Sequence, residues 1–259
     1  MLALLENGVK PDDEAIARVW KYVRALEAEN TYVVSLQTQV FCKANQKKDA
    51  ERIKRNVEWL EKAAVWTGGQ LDGWGYTAAA VNRADNSNTR YAVAALHAAH
   101  RVGFKVSKEK LWEGVRSLYV RTQSVDGGWG YIPTVSRSTH TMSASGLLCL
   151  MLATDVLDTE DKASEQARAN GFSWLAGEFR LKNPTSTFYN LDVIAALGRA
   201  SEKKDFGTKG KKIEWYRLGA EWLLKEQKDD GSWMTGDALD RYPVISTSFA
   251  LRFLASRPD

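Results

Sequence analysis

The run Asp85-Asn86-Ser87-Asn88-Thr89 sets a carboxylate, hydroxyls and amides side by side where an apolar helical pattern begins. Short polar side chains at a helix start accept from its free backbone N–H groups, so this run is expected to cap a helix. If the helix end faces a cavity, Asp85, Ser87 and Asn88 are also candidate ligand contacts. Asp192 interrupts the apolar pattern Phe188-Tyr-Asn-Leu-Asp192-Val193 and is a candidate buried acid. Asp237 and Asp240 precede the last apolar helix and are fallback acids for proton donation, which needs a carboxylic acid in a dry site. His140 precedes another apolar helix and could face the same cavity. Metal chemistry has little to build on. His97 and His100 lie three apart with no second ligand pair. Cys149 is nine residues, two and a half helical turns, beyond His140, too far to share an ion with it. We therefore assign neither a metal nor a cofactor. Trp74, Tyr76, Trp129, Tyr131 and Tyr189 could line a cavity mouth and hold a cation over their rings, although aromatic residues at such spacing more often fill a core. The sequence contains no phosphate loop or nucleophile elbow, and no carboxylate pair is singled out for glycan cleavage.

A repeat positions these residues. Gln123-Ser-Val-Asp126-Gly127-Gly-Trp129 and Gln227-Lys-Asp-Asp230-Gly231-Ser-Trp233 align without gaps, and Asp72-Gly73-Trp74-Gly-Tyr76 is a shortened form. Each follows an amphipathic helix, predicted over 56–66, 111–123 and 216–227. The Asp-Gly pair reads as the helix stop, with Gly in the left-handed region and Trp folding back over the end. Downstream, Thr31, Thr89, Thr141, Thr187 and Thr247 open apolar helices, at gaps of 58, 52, 46 and 60 residues. Three residues on from each anchor the side chains are mostly small, and seven residues on they are mostly aliphatic, which suits close helix packing. The pattern predicts about ten complete helices, alternately charged-faced (as at 48–66 and 159–179) and apolar, and no strand.

Composition agrees. Of 259 residues, 44% are hydrophobic and 26% charged, enough for a large core under a charged surface. The net charge of +4 is dispersed and points to no nucleic acid. No apolar run nears the roughly 20 residues of a membrane span. Lys203–Lys212 reads as a basic, mobile loop. Cys42 and Cys149 read as buried free thiols. The opening Met-Leu-Ala-Leu-Leu-Glu-Asn-Gly8 is too short and too unlike a basic leader for a signal peptide. It resembles the last turns of a helix, as if the chain began in mid-repeat. The compartment stays open.

The stretch Arg217-Leu-Gly219-Ala220-Glu-Trp222-Leu223, with Gln227 and Asp-Gly-Ser-Trp233, resembles the QW motif of squalene and hopene cyclases. The likeness is good around Gln123, Gly127 and Trp129, degenerate near Trp74, and lost in the first and fourth repeats. It extends to the prenyltransferase/squalene-oxidase repeat group, nearest to bacterial members without an assigned activity. That resemblance implies one all-α domain over 1–259, an α/α toroid of about five helix pairs, with the charged-faced helices outside and the apolar helices around a cavity. Whether the domain lacks N-terminal helices stays open. By resemblance Gln123, Trp129, Gln227 and Trp233 are structural, tying neighbouring helices. Class II cyclases protonate a double bond with the central acid of an Asp-x-Asp-Asp-Thr motif. Laid on that motif, Asp85 and Thr89 are kept, but Ser87 and Asn88 replace the two key acids. Protein prenyltransferases hold zinc with Asp, Cys and His, and Asp85-x-Ser87 lacks the thiolate. The expectation is a toroid without that catalysis, binding an isoprenoid-like or other apolar ligand or a protein partner. The alternative is a cyclase-like or prenyl-transfer enzyme with an atypical acid.

Overall fold

A computed structural model describes residues 1–44, 47–78, 83–106, 109–183, 185–208, 210–236 and 238–258. It is mostly helical, with eleven α-helices among the described residues. These are α1 (Leu2–Glu6), α2 (Ala17–Ala25), α3 (Thr31–Ala44), α4 (Ala50–Ala63), α5 (Asn86–Arg101), α6 (Glu109–Arg121), α7 (His140–Leu157), α8 (Lys162–Gly177), α9 (Thr187–Ser201), α10 (Trp215–Glu226) and α11 (Pro243–Leu254). Ten helices after a short first one match the number expected from the repeat. The odd-numbered set is apolar: α5, α7 and α9 bury nearly every residue of their first three turns. In order, α3 packs on α5, α5 on α7, α7 on α9 and α9 on α11, and α1 packs on both α11 and α3. The contacts of this set therefore run in a closed cycle. Of the even-numbered set, α4 packs on α3 and α5, α8 on α7, and α10 on α9 and α11.

Side-chain caps start α5, α7 and α9. Asp85 accepts from the Ser87 and Asn88 amides, Thr139 from Met142, and Ser186 from Tyr189. The anchors Thr89, Thr141 and Thr187 therefore lie inside the first turns, one to four residues past the caps, whereas Thr247 is the fifth residue of α11. Asp161 and Ser164 close a reciprocal capping box on α8.

One feature departs from the expectation of no strand. Helix α4 stops at Ala63, and Val65–Thr67 (β1) pairs antiparallel with Gln70–Gly73 (β2). The connecting Gly68 and Gly69 both have positive φ, 58° and 82°, the conformation that a two-residue hairpin turn requires. The segment expected to extend the helix to Trp66 is therefore a strand. The described residues of the 203–212 stretch are also more tied down than an open loop. Phe206 and Ile213 are buried, and Asp205 accepts from the Gly207 and Ile213 amides. Helix α7 is long and apolar enough to cross a membrane by composition, with mean hydropathy 1.3, but 67% of it is buried inside the protein.

Candidate functional site

The repeat motif forms a connected set of hydrogen bonds. Gly127 and Gly231 take φ of 91° and 81°, in tight turns that follow the helices by several residues rather than in the helix caps. Asp126 accepts from the Gly128 amide and Asp230 from the Ser232 amide, bracing each turn. Gln123 donates to the Gly127 carbonyl and, at 2.7 Å, to the Ala167 carbonyl of α8. Gln227 donates to the Gly231 carbonyl. The tryptophans then reach two ways. Their indole N–H groups donate to carbonyls of the preceding charged-faced helix: Trp74 to Leu60, Trp129 to Tyr119 and Trp233 to Leu223. Their backbone amides donate to hydroxyls of the following apolar helix, Thr89, Ser143 and Thr247. In the third repeat the equivalent hydroxyl is thus Ser143, two residues beyond the Thr141 anchor. Trp74 and Trp129 are completely buried in this role and line no mouth.

The polar site lies where the apolar helices begin. Ser87, near the start of α5, lies 2.7 Å from the Tyr32 hydroxyl of α3 and 2.8 Å from the Tyr189 hydroxyl of α9. Tyr91 meets Tyr32 edge-on at 4.7 Å and stacks on Tyr189 at 6.2 Å; Tyr189 also touches Phe249 of α11. At the rim the Tyr76 and Tyr131 hydroxyls are 3.1 Å apart. Burial raises the Tyr32 phenol well above its ordinary range, so it stays protonated.

One turn deeper lies a buried chain of charges. Arg90 of α5 donates to Asp192 of α9 at 3.2 Å, and Arg252 of α11 lies 2.8 Å from the other Asp192 oxygen. Arg252 also donates to Glu6 at 2.9 Å. The Arg90 guanidinium sits 4.0 Å from the Tyr91 ring centroid and 5.1 Å from that of Tyr189. Burial opposes the charge on Arg90, but Tyr189, Tyr91 and Asp192 more than offset this. Asp192 is thus a buried carboxylate held between two guanidiniums.

The remaining candidates are bound into the fold. Asp85 caps α5 and also accepts from the Asn88 side chain at 2.7 Å; burial raises its pKa despite these donors. Asp240 accepts from the Ser186 hydroxyl and the Thr187 amide, which pins the start of α9. Asp237 lies outside the described residues. His140 is buried against Phe179, with Nδ1 2.9 Å from the Asn190 oxygen, and burial lowers its pKa to about 4. His97 pairs with Asp155 at 2.7 Å. Cys42 and Cys149 are free and buried, and burial pushes each thiol up to about 12. Among the described residues no three His, Cys, Asp or Glu side chains converge as a metal site would require.

Beside the charge chain opens an apolar cavity of about 330 Å³ between α1, α2, α3 and α11. Leu2, Leu26, Val33, Leu36, Ile245 and Phe249 line it, and Tyr91 and Arg252 stand on its wall. Two other clefts mix charged with apolar and small side chains, one with Asp72, Arg83 and Arg121, the other with Arg199, Glu202 and Lys204. Tyr32, Arg90, Tyr91 and Arg252 are functional candidates that the sequence reading passed over. Their only signal was a charge or phenol inside an apolar helix. No family model matches this chain, and no curated protein matches it in sequence.

Proposed function

We propose that this chain is an α/α toroid of the terpene cyclase and prenyltransferase repeat type, whose cavity binds an isoprenoid-like apolar ligand. The closed cycle of apolar helices, with charged-faced helices packed behind them, supports the toroid. The apolar wall between α1, α2, α3 and α11 carries the binding role, since ligand pockets are concave and mostly apolar with a few placed polar groups. A purely ligand-binding role fits the acids. By the resemblance to the cyclase motif Ser87 replaces the initiating acid, and a hydroxyl between two phenols cannot protonate an alkene. Asp192 is paired with two arginines and Asp240 caps a helix, so neither is a free general acid. A protein partner is the second reading, favoured by the exposed apolar side chains Leu239, Tyr242 and Val244, the last of which lines the cavity.

The test is mass spectrometry of an organic extract of the purified protein, followed by uptake of farnesol, farnesyl diphosphate and squalene. A stoichiometric isoprenoid, or saturable uptake of one, supports the binding role. An empty protein that takes up none of the three overturns it.

A further inference from the structure

The apolar cavity carries charge at one point. Among the described residues, Arg252 is the one charged side chain on its wall. The wall's amide and serine are occupied: Gln37 donates to the Val23 and Leu26 carbonyls and accepts from Asn56, and Ser248 donates to the Val244 carbonyl. Arg252 is only partly engaged. Its Nε donates to Glu6 at 2.9 Å and its Nη1 lies 2.8 Å from Asp192, while no described residue hydrogen-bonds its Nη2. Arg252 is 6% exposed, and a guanidinium edge left open at so dry a place is costly unless an acceptor from outside the chain meets it.

The surrounding charges leave the same sign over. Arg90 and Arg252 both pair with Asp192, and Arg252 pairs also with Glu6. Arg199 of α9 joins them: it donates to the Ser256 hydroxyl, which in turn donates to the Arg252 carbonyl. Burial lowers the Arg199 pKa; Glu6 and Asp192 attract its charge, and Arg252 and Arg90 repel it. In the cleft that Arg199 also lines, Glu202 is outnumbered by Lys204 and Arg257. Three guanidiniums thus share two carboxylates, and one positive charge is left over. A single carboxylate entering the cavity would cancel that charge and meet Nη2 in a charge-assisted hydrogen bond, which offsets much of its desolvation. A neutral hydroxyl gains the bond without the cancellation. A diphosphate brings more negative charge than the cluster neutralises.

We infer that the isoprenoid-like ligand carries a single carboxylate, held by Arg252, with its chain along the apolar wall between α3 and α11. This rests on the binding role proposed above and narrows it to a monoanionic acid.

Calorimetric titration with four matched fifteen-carbon probes tests it: farnesoic acid, farnesol, farnesyl diphosphate and the hydrocarbon farnesene, at pH 7.5, where the acid is ionised. Farnesoic acid is expected to bind about tenfold tighter than farnesol, the margin of a charged hydrogen bond over a neutral one, and tighter than the diphosphate. Arg199 is exposed and lies outside the cavity, so Arg199→Met should fold. It should cut the acid's advantage several-fold and leave farnesol binding unchanged. Equal binding of acid and alcohol, tightest binding by the diphosphate, or an acid preference untouched by Arg199→Met overturns this inference and leaves the cavity a ligand site. Binding of none of the four, with no uptake of squalene, overturns the binding role itself. The wild-type order decides the matter if the variant fails to fold.

Discussion

Asp192 carries two guanidiniums in a place that water does not reach, and each side chain in the chain depends on the others. Asp192→Asn keeps the shape but removes the charge, stripping Arg90 of its ion pair and leaving Arg252 with Glu6 alone. Unpairing a buried ion in this way typically costs about 3–5 kcal/mol, so the urea midpoint should fall steeply. Asp192→Asn combined with Arg90→Met should recover part of that loss, because the second change removes the stranded charge. His140 acts at the same scale but in the opposite sense, since it is buried uncharged. Its pKa is about 4 in the folded protein, below the ordinary 6.5 of the unfolded chain. The unfolded state therefore binds the extra proton first. The stability that neutral His140 secures is complete above pH 6.5 and is lost as pH falls toward 4, to a limit of about 3 kcal/mol. Urea unfolding at pH 7.5 and 4.5 checks this: His140→Asn should lose markedly less stability than wild type between the two.

At the scale of elements, the helices come together through glycines that face aromatic rings. A Cβ on Gly146 of α7 would stand 2.7 Å from the Trp129 ring, and one on Gly198 of α9 would clash with the Trp215 ring. In a free helix Gly→Ala stabilises by about 1 kcal/mol. Here the added methyl meets a rigid indole fixed by its own hydrogen bond to the Tyr119 carbonyl. Gly146→Ala should therefore destabilise by about 1–3 kcal/mol, read as a lower thermal midpoint. Trp129→Phe should cost about 1–2 kcal/mol through the unmatched Tyr119 carbonyl and lost contact area. Much of this level was legible beforehand. The charged and apolar helices alternate as their periodicity predicts, and the Asp-Gly-x-Trp spacing announces its turns because only Gly accepts a φ near 90° there. The hairpin at 65–73 was hidden because its strands are three and four residues long and follow a helix whose apolar spacing runs on into Trp66. Its one signal, Gly68-Gly69 between Val65-Trp-Thr and Gln-Leu71, was present but unused. The site was less legible. Ser87 meets Tyr32 and Tyr189 across 55 and 102 residues, and no local pattern joins such pairs. Asp192 stood out as a charge in an apolar helix. Arg90 and Arg252 broke the same rule, and together the three charges carried the clue that they neutralise one another.

Across the whole molecule, the cycle of apolar helices closes at α1 and α11. Glu6 holds Arg252, and the Asn7 side chain donates to the Leu251 carbonyl at 3.0 Å, joining segments 246 and 244 residues apart. Contacts so distant in sequence form only after long loops have closed, so this seam should be among the last parts to assemble. Glu6→Gln should leave the helix content unchanged but cost about 1.5–3 kcal/mol, the range for a hydrogen bond to a charged group. Its mark should be faster unfolding with little change in folding rate. Equal slowing of folding would show instead that the seam forms early.

The same seam has a bearing on connectivity. Because α1 and α11 lie side by side, the cycle could be cut elsewhere without separating any packed pair. The Gly68-Gly69 turn is exposed and a Cβ on either glycine would meet nothing within 4 Å, which makes it a natural place to cut. A circular permutant beginning at Gly69, with residues 258 and 1 joined by a flexible linker of roughly fifteen Gly and Ser residues, should fold to the same cycle. In such a molecule the order in which a ribosome delivers the helices is separate from the order in which they pack.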